Sequence, residues 1–124
     1  MLEKQLDNLR VRRTVVNSVD IVKAYGKCDV FSVQLFKDVM AEVIDEGNTK
    51  LIVDVKDLDC IDSSGLVAVL WAKHKIEEIG GKLIVVGLNG SHGYKVGLVD
   101  EFCGLFSTAS SVGHALKSLS IKTR

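Results

Sequence analysis

Two largely apolar runs on either side of a long helical pattern limit the fold of this chain more than any other feature. Residues 51–55 and 83–86 are typical of strands that are buried on both faces of a sheet. A helix is predicted to begin at Ser63 and to end at the Gly80-Gly81 pair. A strand–helix–strand unit of this length implies two parallel strands joined by a right-handed crossover. The predicted fold class is therefore α/β.

The segment before this unit is predicted to contain two strands and a helix. Residues 10–16 and 19–24 are rich in β-forming side chains and flank the turn dipeptide Asn17-Ser18, so a hairpin is expected. A loop is predicted over residues 26–29. Ser32 is then expected to cap a helix whose apolar residues recur at helical spacing.

The segment after this unit is predicted to hold a turn or the start of a helix over residues 89–93, a short helix over 94–102, a short edge strand over 104–106 and a final helix over 110–119. The complete order is β-β-α-β-α-β-α-β-α. That order describes a mixed, mostly parallel sheet covered by helices.

The length of 124 residues is sufficient for one domain with a single core. We predict an N-terminal extension over residues 1–9, the domain itself over 10–119 and a C-terminal tail over 120–124. The formal net charge is zero, from 16 basic and 16 acidic residues, so direct binding of nucleic acid has no electrostatic support.

The longest unbroken apolar run, residues 66–72, is too short to span a membrane, and the N-terminus lacks the pattern of a signal peptide. We therefore expect a cytoplasmic protein without membrane insertion. The three cysteines, Cys28, Cys60 and Cys103, are widely spaced and form no CxxC pair, which favours reduced thiols over a disulfide framework or a zinc site.

The junction between the strand at 51–55 and the following helix contains the candidate functional residues. Asp62 is a favourable N-cap, which places Ser63 on the first helical residue with an exposed hydroxyl. Unpaired amides and the helix dipole at this position accommodate a phosphate. The Ser63 hydroxyl is then a candidate nucleophile, phosphate ligand or phosphoacceptor, or a polar residue without a specific role.

Catalysis has little support in the sequence. The Gly-x-Ser-x-Gly elbow is absent, and nothing places His74, His92 or His114 beside Ser63. No glycine-rich phosphate loop with a lysine is present. The spacing of four aspartates matches no calcium loop, so they are interpreted as turn residues rather than a metal cluster: Asp54, Asp57, Asp59 and Asp62. We predict neither an enzyme nor a bound cofactor or metal.

A helical projection of the segment after Ser63 separates a core face from a second apolar patch. Val67 and Trp71 lie one turn apart on the side away from the core. Two interpretations stay open at this point: Trp71 packs under a neighbouring loop, or it belongs to an exposed patch that marks a protein interface. The predicted core face consists of Ala68, Val69, Ala72, Ile76 and Ile79.

Several motifs together resemble the STAS domains of bacterial anti-sigma factor antagonists. The most specific are Asp62-Ser63-Ser64-Gly65-Leu66 and Ile76-x-x-Ile79-Gly80-Gly81, followed by the strand at 83–86. Gly26-x-x-Asp29 and Cys103-Gly104-Leu105-Phe106 fit the same pattern in order. The resemblance covers roughly residues 10–119 and implies the STAS fold, in agreement with the predicted order of elements.

The resemblance also implies a function and a set of site residues. In this family the unphosphorylated protein binds an anti-sigma factor that is also a serine kinase, which frees the sigma factor. The kinase then phosphorylates the first hydroxyl residue after the aspartate, here Ser63, and a serine phosphatase reverses the modification. The predicted partner-binding residues are Asp29, Asp62, Ser63, Ser64, Gly65, Val67 and Trp71.

Two other functions remain open from the sequence. The domain is alternatively a scaffold or regulatory subunit of a larger assembly or transporter, in which Ser63 merely begins a helix. A third possibility is a sensor that binds a small ligand or nucleotide in a surface crevice.

Overall fold

The computed structural model describes residues 2–88 and 104–121. Its elements, in chain order, are β1 Leu2–Leu6, β2 Leu9–Val16, β3 Val19–Cys28, α1 Val33–Asp45, β4 Lys50–Asp54, β5 Leu58–Ile61, α2 Ser63–Glu78, β6 Lys82–Val86, β7 Ser107–Ala109 and α3 Val112–Ile121.

Seven strands from the described ranges form one mixed sheet in the order β1-β2-β3-β4-β6-β7, and β5 pairs with the end of β3. β1, β2 and β3 are antiparallel neighbours, whereas β3–β4, β4–β6 and β6–β7 are parallel pairs. The parallel pairing of β4 with β6 around α2 confirms the predicted strand–helix–strand unit. The α/β fold class is confirmed as well.

The two faces of the sheet carry separate cores. The larger core lies between the sheet and helices α1 and α2, and the smaller one lies under α3 on the opposite face. Ile52 and Ile84 contribute to the core under α3, while Leu51, Val53 and Val85 contribute to the other. Alternation along the strands produces this division, because successive side chains of a strand point to opposite faces. Both β4 and β6 are therefore apolar throughout, as predicted.

The predicted hairpin is confirmed, and its turn explains the residues found there. Val16 pairs with Val19, which leaves Asn17 and Ser18 as a two-residue loop with φ values of 54° and 66°. Two consecutive positive φ angles match the type I′ turn that suits the right-handed twist of a hairpin.

The loop predicted over residues 26–29 is shorter in the structure, because β3 continues to Cys28. Lys27 and Cys28 pair with Cys60 and Ile61 of β5, a four-residue strand that the sequence analysis interpreted as part of an acidic turn. A register shift at Gly26 accompanies this change of partner from β4 to β5.

Near the two ends of the chain, the strands in the structure also differ from the predicted ones. The N-terminal segment that was predicted to be an extension contains β1, which pairs with β2 through five residue pairs. Its side chains are all exposed, as suits the edge of a sheet. The predicted strand at 104–106 lies three residues later, as β7, and the final helix begins at Val112. The turn predicted at 89–93 and the helix predicted at 94–102 lie outside the described residues.

Across the described parts of the chain, no helix is both long and apolar enough to cross a membrane. Helix α2 follows the predicted boundaries and buries most of the predicted core face. Ile79 is the exception: it is 45% exposed because it follows the helix as its C-cap residue, with φ −101° and ψ 17°. The prediction that Ile79 belongs to the core face is therefore wrong.

Candidate functional site

The start of α2 is organised by the carboxylate of Asp62. Asp62 has extended backbone angles and precedes the first helical residue, as expected for an N-cap. Its Oδ1 accepts hydrogen bonds from the amides of Ser64 and Gly65 at 3.0 and 3.2 Å. The first amides of a helix have no partner one turn earlier, and the Gly65 amide also lies 3.1 Å from the carbonyl oxygen of Asp62. The predicted N-cap is thus confirmed.

The two serines of this turn have different surroundings. The Ser64 side chain is half-buried, and its hydroxyl donates a hydrogen bond to Asp62 Oδ1. Ser63 is exposed, and its hydroxyl makes no hydrogen bond with any residue in the described ranges. Of the two hydroxyls, the one on Ser63 is therefore the more accessible to another protein.

Gly65 lies inside the protein rather than on its surface. A Cβ atom at this position would lie 2.6 Å from Ile61 Cγ1 and 2.9 Å from Cys28 Sγ. The first turn of α2 therefore approaches the ends of β3 and β5 at a distance that only glycine permits. Gly65 was predicted to contact a partner, but its burial gives it a packing role that fixes the position of the two serines.

The loop between β3 and α1 contains Asp29 and lies beside the start of α2. The amide of Asp62 donates to the carbonyl oxygen of Cys28 at 3.1 Å, which joins the two segments. Asp29 Oδ1 accepts hydrogen bonds from the amides of Phe31 and Ser32 at 3.0 and 3.2 Å. Asp29 and Asp62 are thus brought to the same end of the sheet, as the resemblance implied.

Ser32 precedes α1 but does not cap it as predicted, because its side chain makes no capping hydrogen bond. Its hydroxyl instead points back into the loop, 3.0 Å from the carbonyl oxygen of Lys27 and 3.1 Å from Asp29 Oδ1. The carboxylate of Asp29 accepts the amides of Phe31 and Ser32 in the turn that precedes α1, so it holds the loop rather than capping the helix.

The thiol of Cys28 lies buried beneath the site. Burial, with added contributions from the charges of Asp62 and Asp29, raises the pKa of Cys28 to about 12. A thiol with this pKa stays protonated at neutral pH and is a poor nucleophile. Cys28 and Cys60 are both free thiols, and Cys28 acts as a small apolar core residue.

Val67 and Trp71 differ in exposure although both lie on α2. Val67 is 53% exposed, whereas Trp71 is half-buried and packs against the larger core. The Nζ atom of Lys37 lies 4.7 Å from the centre of the Trp71 ring, so the indole packs beside α1. Among the residues that the structure describes, the neighbour of Trp71 is helix α1 rather than a loop, and the interface interpretation stays a prediction.

The structure also reveals two exposed apolar residues that the sequence analysis did not identify. Phe31 is 78% exposed and Val30 is 66% exposed, and both lie in the loop between β3 and α1. The signal in the sequence was an apolar pair between Asp29 and Ser32, directly before a helix.

Other candidate groups do not converge on this site. Within residues 2–88 and 104–121, no three potential metal ligands cluster. Asp54 and Asp57 form ion pairs with Lys23 at 3.8 and 2.8 Å. His74 is exposed further along α2, and His114 lies on α3 beside Ser110. His92 lies outside the described residues.

Together the mixed sheet, the helices on both faces and the serine at the start of α2 define a small α/β domain with an exposed loop–helix junction. A sequence model of the STAS domain matches residues 10–113, and the chain belongs to the STAS domain family. This finding confirms the resemblance on which the predictions were based.

Solved structures with the same fold include proteins described as anti-sigma factor antagonists. A putative antagonist from Thermotoga maritima has a TM-score of 0.75 at 19% identity, over 87% of this chain and 92% of that chain. An antagonist from Mycobacterium paratuberculosis has a TM-score of 0.77 at 16% identity, over 89% and 92% of the two chains. The Bacillus cell fate determinant SpoIIAA in its phosphorylated form has a TM-score of 0.65 at 20% identity, over 88% and 98%.

Proposed function

We propose that this protein is an anti-sigma factor antagonist that is controlled by phosphorylation of Ser63. The unphosphorylated form binds an anti-sigma factor that is also a serine kinase, and this frees a sigma factor in the bacterial cytoplasm. Phosphorylation ends the interaction, and a serine phosphatase restores it. The observation that carries the proposal is the exposed Ser63 hydroxyl at the start of a helix capped by Asp62.

A phosphate on Ser63 is compatible with the fold. Phosphorylation adds about −1.5 to −2 charges at neutral pH. The positive end of the helix dipole favours negative charge in the first turn, so the modification leaves the folded state intact. The consequence of the phosphate therefore concerns a docked protein rather than the stability of the domain.

The same phosphate is unfavourable under a docked kinase. A kinase that modifies Ser63 holds the phosphates of its nucleotide opposite this residue, so phosphoserine meets negative charge. A docked partner also removes water from the modified side chain, and an unpaired buried charge is strongly unfavourable. These two effects give the switch its direction: the unmodified protein binds and the phosphorylated protein is released.

The comparisons support the proposed class of protein, and they name no partner for this chain. Membership of the STAS family and the likeness to proteins described as antagonists favour a binding module over an enzyme. The Bacillus neighbour is described in a phosphorylated form, which shows that a protein of this fold carries such a modification. We assign no catalytic residue and no cofactor to this chain.

The partner contacts are proposed for the surface around Ser63. Val67 and Ser63 are exposed, and Asp29 and Asp62 are partly accessible beside them. Ser64 and Gly65 are proposed to act mainly by shaping the first turn, since one is bonded to the cap and the other is buried. Trp71 adds the exposed part of its ring at the edge of this surface.

Capture of partners from native lysate, followed by incubation with ATP and phosphopeptide mapping, tests the proposal. We expect recovery of a serine kinase and modification of Ser63 in the wild type. Ser63→Ala should abolish the modification, whereas the matched variant Ser64→Ala should retain it. Phosphate found on Ser64 alone, or a stable complex that no phosphorylation dissolves, would contradict the switch and favour a scaffolding role.

A further inference from the structure

The loop between β3 and α1 exposes an aromatic side chain on a fixed backbone. Phe31 is 78% exposed and its neighbour Val30 is 66% exposed. Removing apolar surface from water is favourable, so a ring in this position gains free energy when another surface covers it. Scattered exposed apolar residues are common, but Phe31 differs in the way its backbone is held and in the groups that surround it.

Hydrogen bonds within the loop hold the backbone on which Phe31 stands. Asp29 Oδ1 accepts the Phe31 amide at 3.0 Å and the Ser32 amide at 3.2 Å. The Ser32 hydroxyl is 3.0 Å from the Lys27 carbonyl oxygen, and Ser32 itself is 1% exposed. A side chain presented by such a backbone loses little conformational entropy when it binds, which favours its use as an anchor.

A depression lies beside Phe31, between this loop and the turn that joins β1 to β2. The amide of Lys27, near the end of β3, donates to the carbonyl oxygen of Asn8 at 2.9 Å, which holds the turn against the strand from which the loop begins. Asp7, Asn8, Asp29 and Phe31 line the depression. Two carboxylates, an amide and an aromatic ring favour a cationic side chain, through charge-assisted hydrogen bonds and contact with the ring.

The depression and Phe31 lie at the same end of the sheet as Ser63. The hydrogen bond from the Asp62 amide to the Cys28 carbonyl oxygen, 3.1 Å long, joins the two segments that carry Phe31 and Ser63. Val67, 53% exposed, adds a further apolar side chain one turn along α2. A partner that covers Ser63 therefore meets apolar surface with carboxylates at its edge.

We propose that Val30 and Phe31 are the apolar anchor for the partner that recognises Ser63, and that the adjacent depression receives an arginine or lysine of that partner. This inference rests on the proposed function and specifies the chemistry of the partner surface: an apolar pocket flanked by positive charge. A second copy of this chain fits less well, because two acidic depressions would face each other.

Affinity measurements with the purified kinase that phosphorylates Ser63 test the anchor. Phe31→Ala should weaken binding by about 30-fold, the ratio that corresponds to ~2 kcal/mol for a central aromatic contact. Val15→Ala is the matched control, since Val15 is 61% exposed but lies towards the opposite end of β2. We expect the control to change affinity less than about twofold, and thermal unfolding of both variants to stay close to that of the wild type.

Asp7→Asn tests the charge of the depression separately. Asp29 is unsuitable for this purpose because its carboxylate holds the loop. We expect Asp7→Asn to weaken binding several-fold and to reduce its dependence on salt, since rim charges act through screened electrostatics. Asp45→Asn, an exposed site at the far end of α1, should leave both quantities unchanged.

Three results would overturn the inference. Phe31→Ala could bind within twofold of the wild type, Asp7→Asn could bind more tightly, or Phe31→Ala could dissolve a dimer of the wild-type chain.

Ser63→Asp in the same assay separates the two proposals. If Ser63→Asp weakens binding and Phe31→Ala does not, the anchor is wrong and the switch stands. If Phe31→Ala weakens binding and Ser63→Asp does not, the switch is wrong and the anchor stands.

Discussion

At the scale of single residues, one carboxylate determines which serine is accessible. Asp62 Oδ1 accepts two amides of the first turn and also the hydroxyl of Ser64. The hydroxyl of Ser64 is therefore engaged within the cap, whereas that of Ser63 is exposed to solvent. Adjacent serines that look equivalent in the sequence have different chemical availability because the helix turns by about 100° between them.

Ser63→Asp should weaken binding of the kinase partner while the fold is retained. A carboxylate in the first helical turn is favoured by the helix dipole, by about 0.3–1 kcal/mol, so the free energy of unfolding should change little. Like charges brought together in an interface are unfavourable by several kcal/mol, which predicts a loss of affinity of at least about tenfold. Binding assays and urea unfolding measure the two effects.

Ser63→Asn is the matched control, because asparagine has nearly the size of aspartate without its charge. We expect this variant to bind much more tightly than Ser63→Asp. Equal loss of affinity in both variants would show that bulk rather than charge blocks the partner. An unfolded Ser63→Asp protein would contradict the claim that the helix start accommodates negative charge.

Part of the candidate site was predictable at this scale and part was not. Asp62 and Ser63 were identified because capping is a local property that depends on adjacent residues. Phe31 was not identified, because its place beside the β1–β2 turn depends on segments that are distant in the sequence. The hydrogen bond from Lys27 to Asn8 joins residues that are distant in sequence, and no local pattern indicates it.

At the scale of secondary-structure elements, the position of α2 depends on a single glycine. Gly65→Ala should destabilise the protein although alanine is the better helix former. The added Cβ would lie 2.6 Å from Ile61 Cγ1 and 2.9 Å from Cys28 Sγ, so the helix or the strand ends must move. Overpacking of this kind costs about 1–3 kcal/mol. Urea unfolding measures the change.

Gly113→Ala provides the control for this prediction. Gly113 lies within α3, and a Cβ there would have Ser111 Oγ at 3.7 Å as its nearest neighbour. Without steric conflict, the substitution should stabilise the protein by up to about 1 kcal/mol through helix propensity. Opposite signs for the two variants would support the close approach at Gly65. Stabilisation in both would contradict it.

Trp71 connects the two helices that cover the larger core. Trp71→Ala should lower the free energy of unfolding by less than the ~3–5 kcal/mol typical of a fully buried tryptophan, since the ring is only half-buried beside Lys37. It should also reduce partner binding modestly. Iodide is an anion that the neighbouring Lys37 attracts, so intermediate quenching of the wild-type fluorescence by iodide would agree with this position. Complete protection from quenching would place the indole in the core.

The elements that the sequence predicted correctly are those with long, continuous signals. Strands β4 and β6 are short continuous apolar runs bounded by turn residues, and α2 has apolar residues at helical spacing between a cap and a glycine pair. Strand β1 was missed because all of its side chains are exposed, and β5 because it has only four residues among acidic ones. Both strands form through pairing with β2 and β3, which is a tertiary effect.

At the scale of the whole molecule, an ion-pair network joins the hairpin to α1 on the side away from Ser63. The guanidinium of Arg13, on β2, lies 2.9 Å from Asp20 of β3 and 2.7 Å from Glu46 at the end of α1. Lys4 of β1 pairs with Glu42 of α1 at 3.1 Å. The network therefore connects three neighbouring strands with the helix that follows the proposed docking loop.

Arg13→Leu should strongly destabilise the protein without acting directly on partner binding. The Asp20 side chain is 4% exposed and would be left as a buried charge without its guanidinium. Breaking a buried pair by removing one partner costs about 3–5 kcal/mol, whereas replacing both partners with apolar residues is often neutral. The double variant Arg13→Leu/Asp20→Leu should therefore recover much of the lost free energy of unfolding, which urea titration measures.

Glu46→Gln is the control and should change the free energy of unfolding little, because Glu46 is exposed. If Arg13→Leu were as mild as Glu46→Gln, the network would be a surface feature, and the hairpin would depend on its apolar contacts alone.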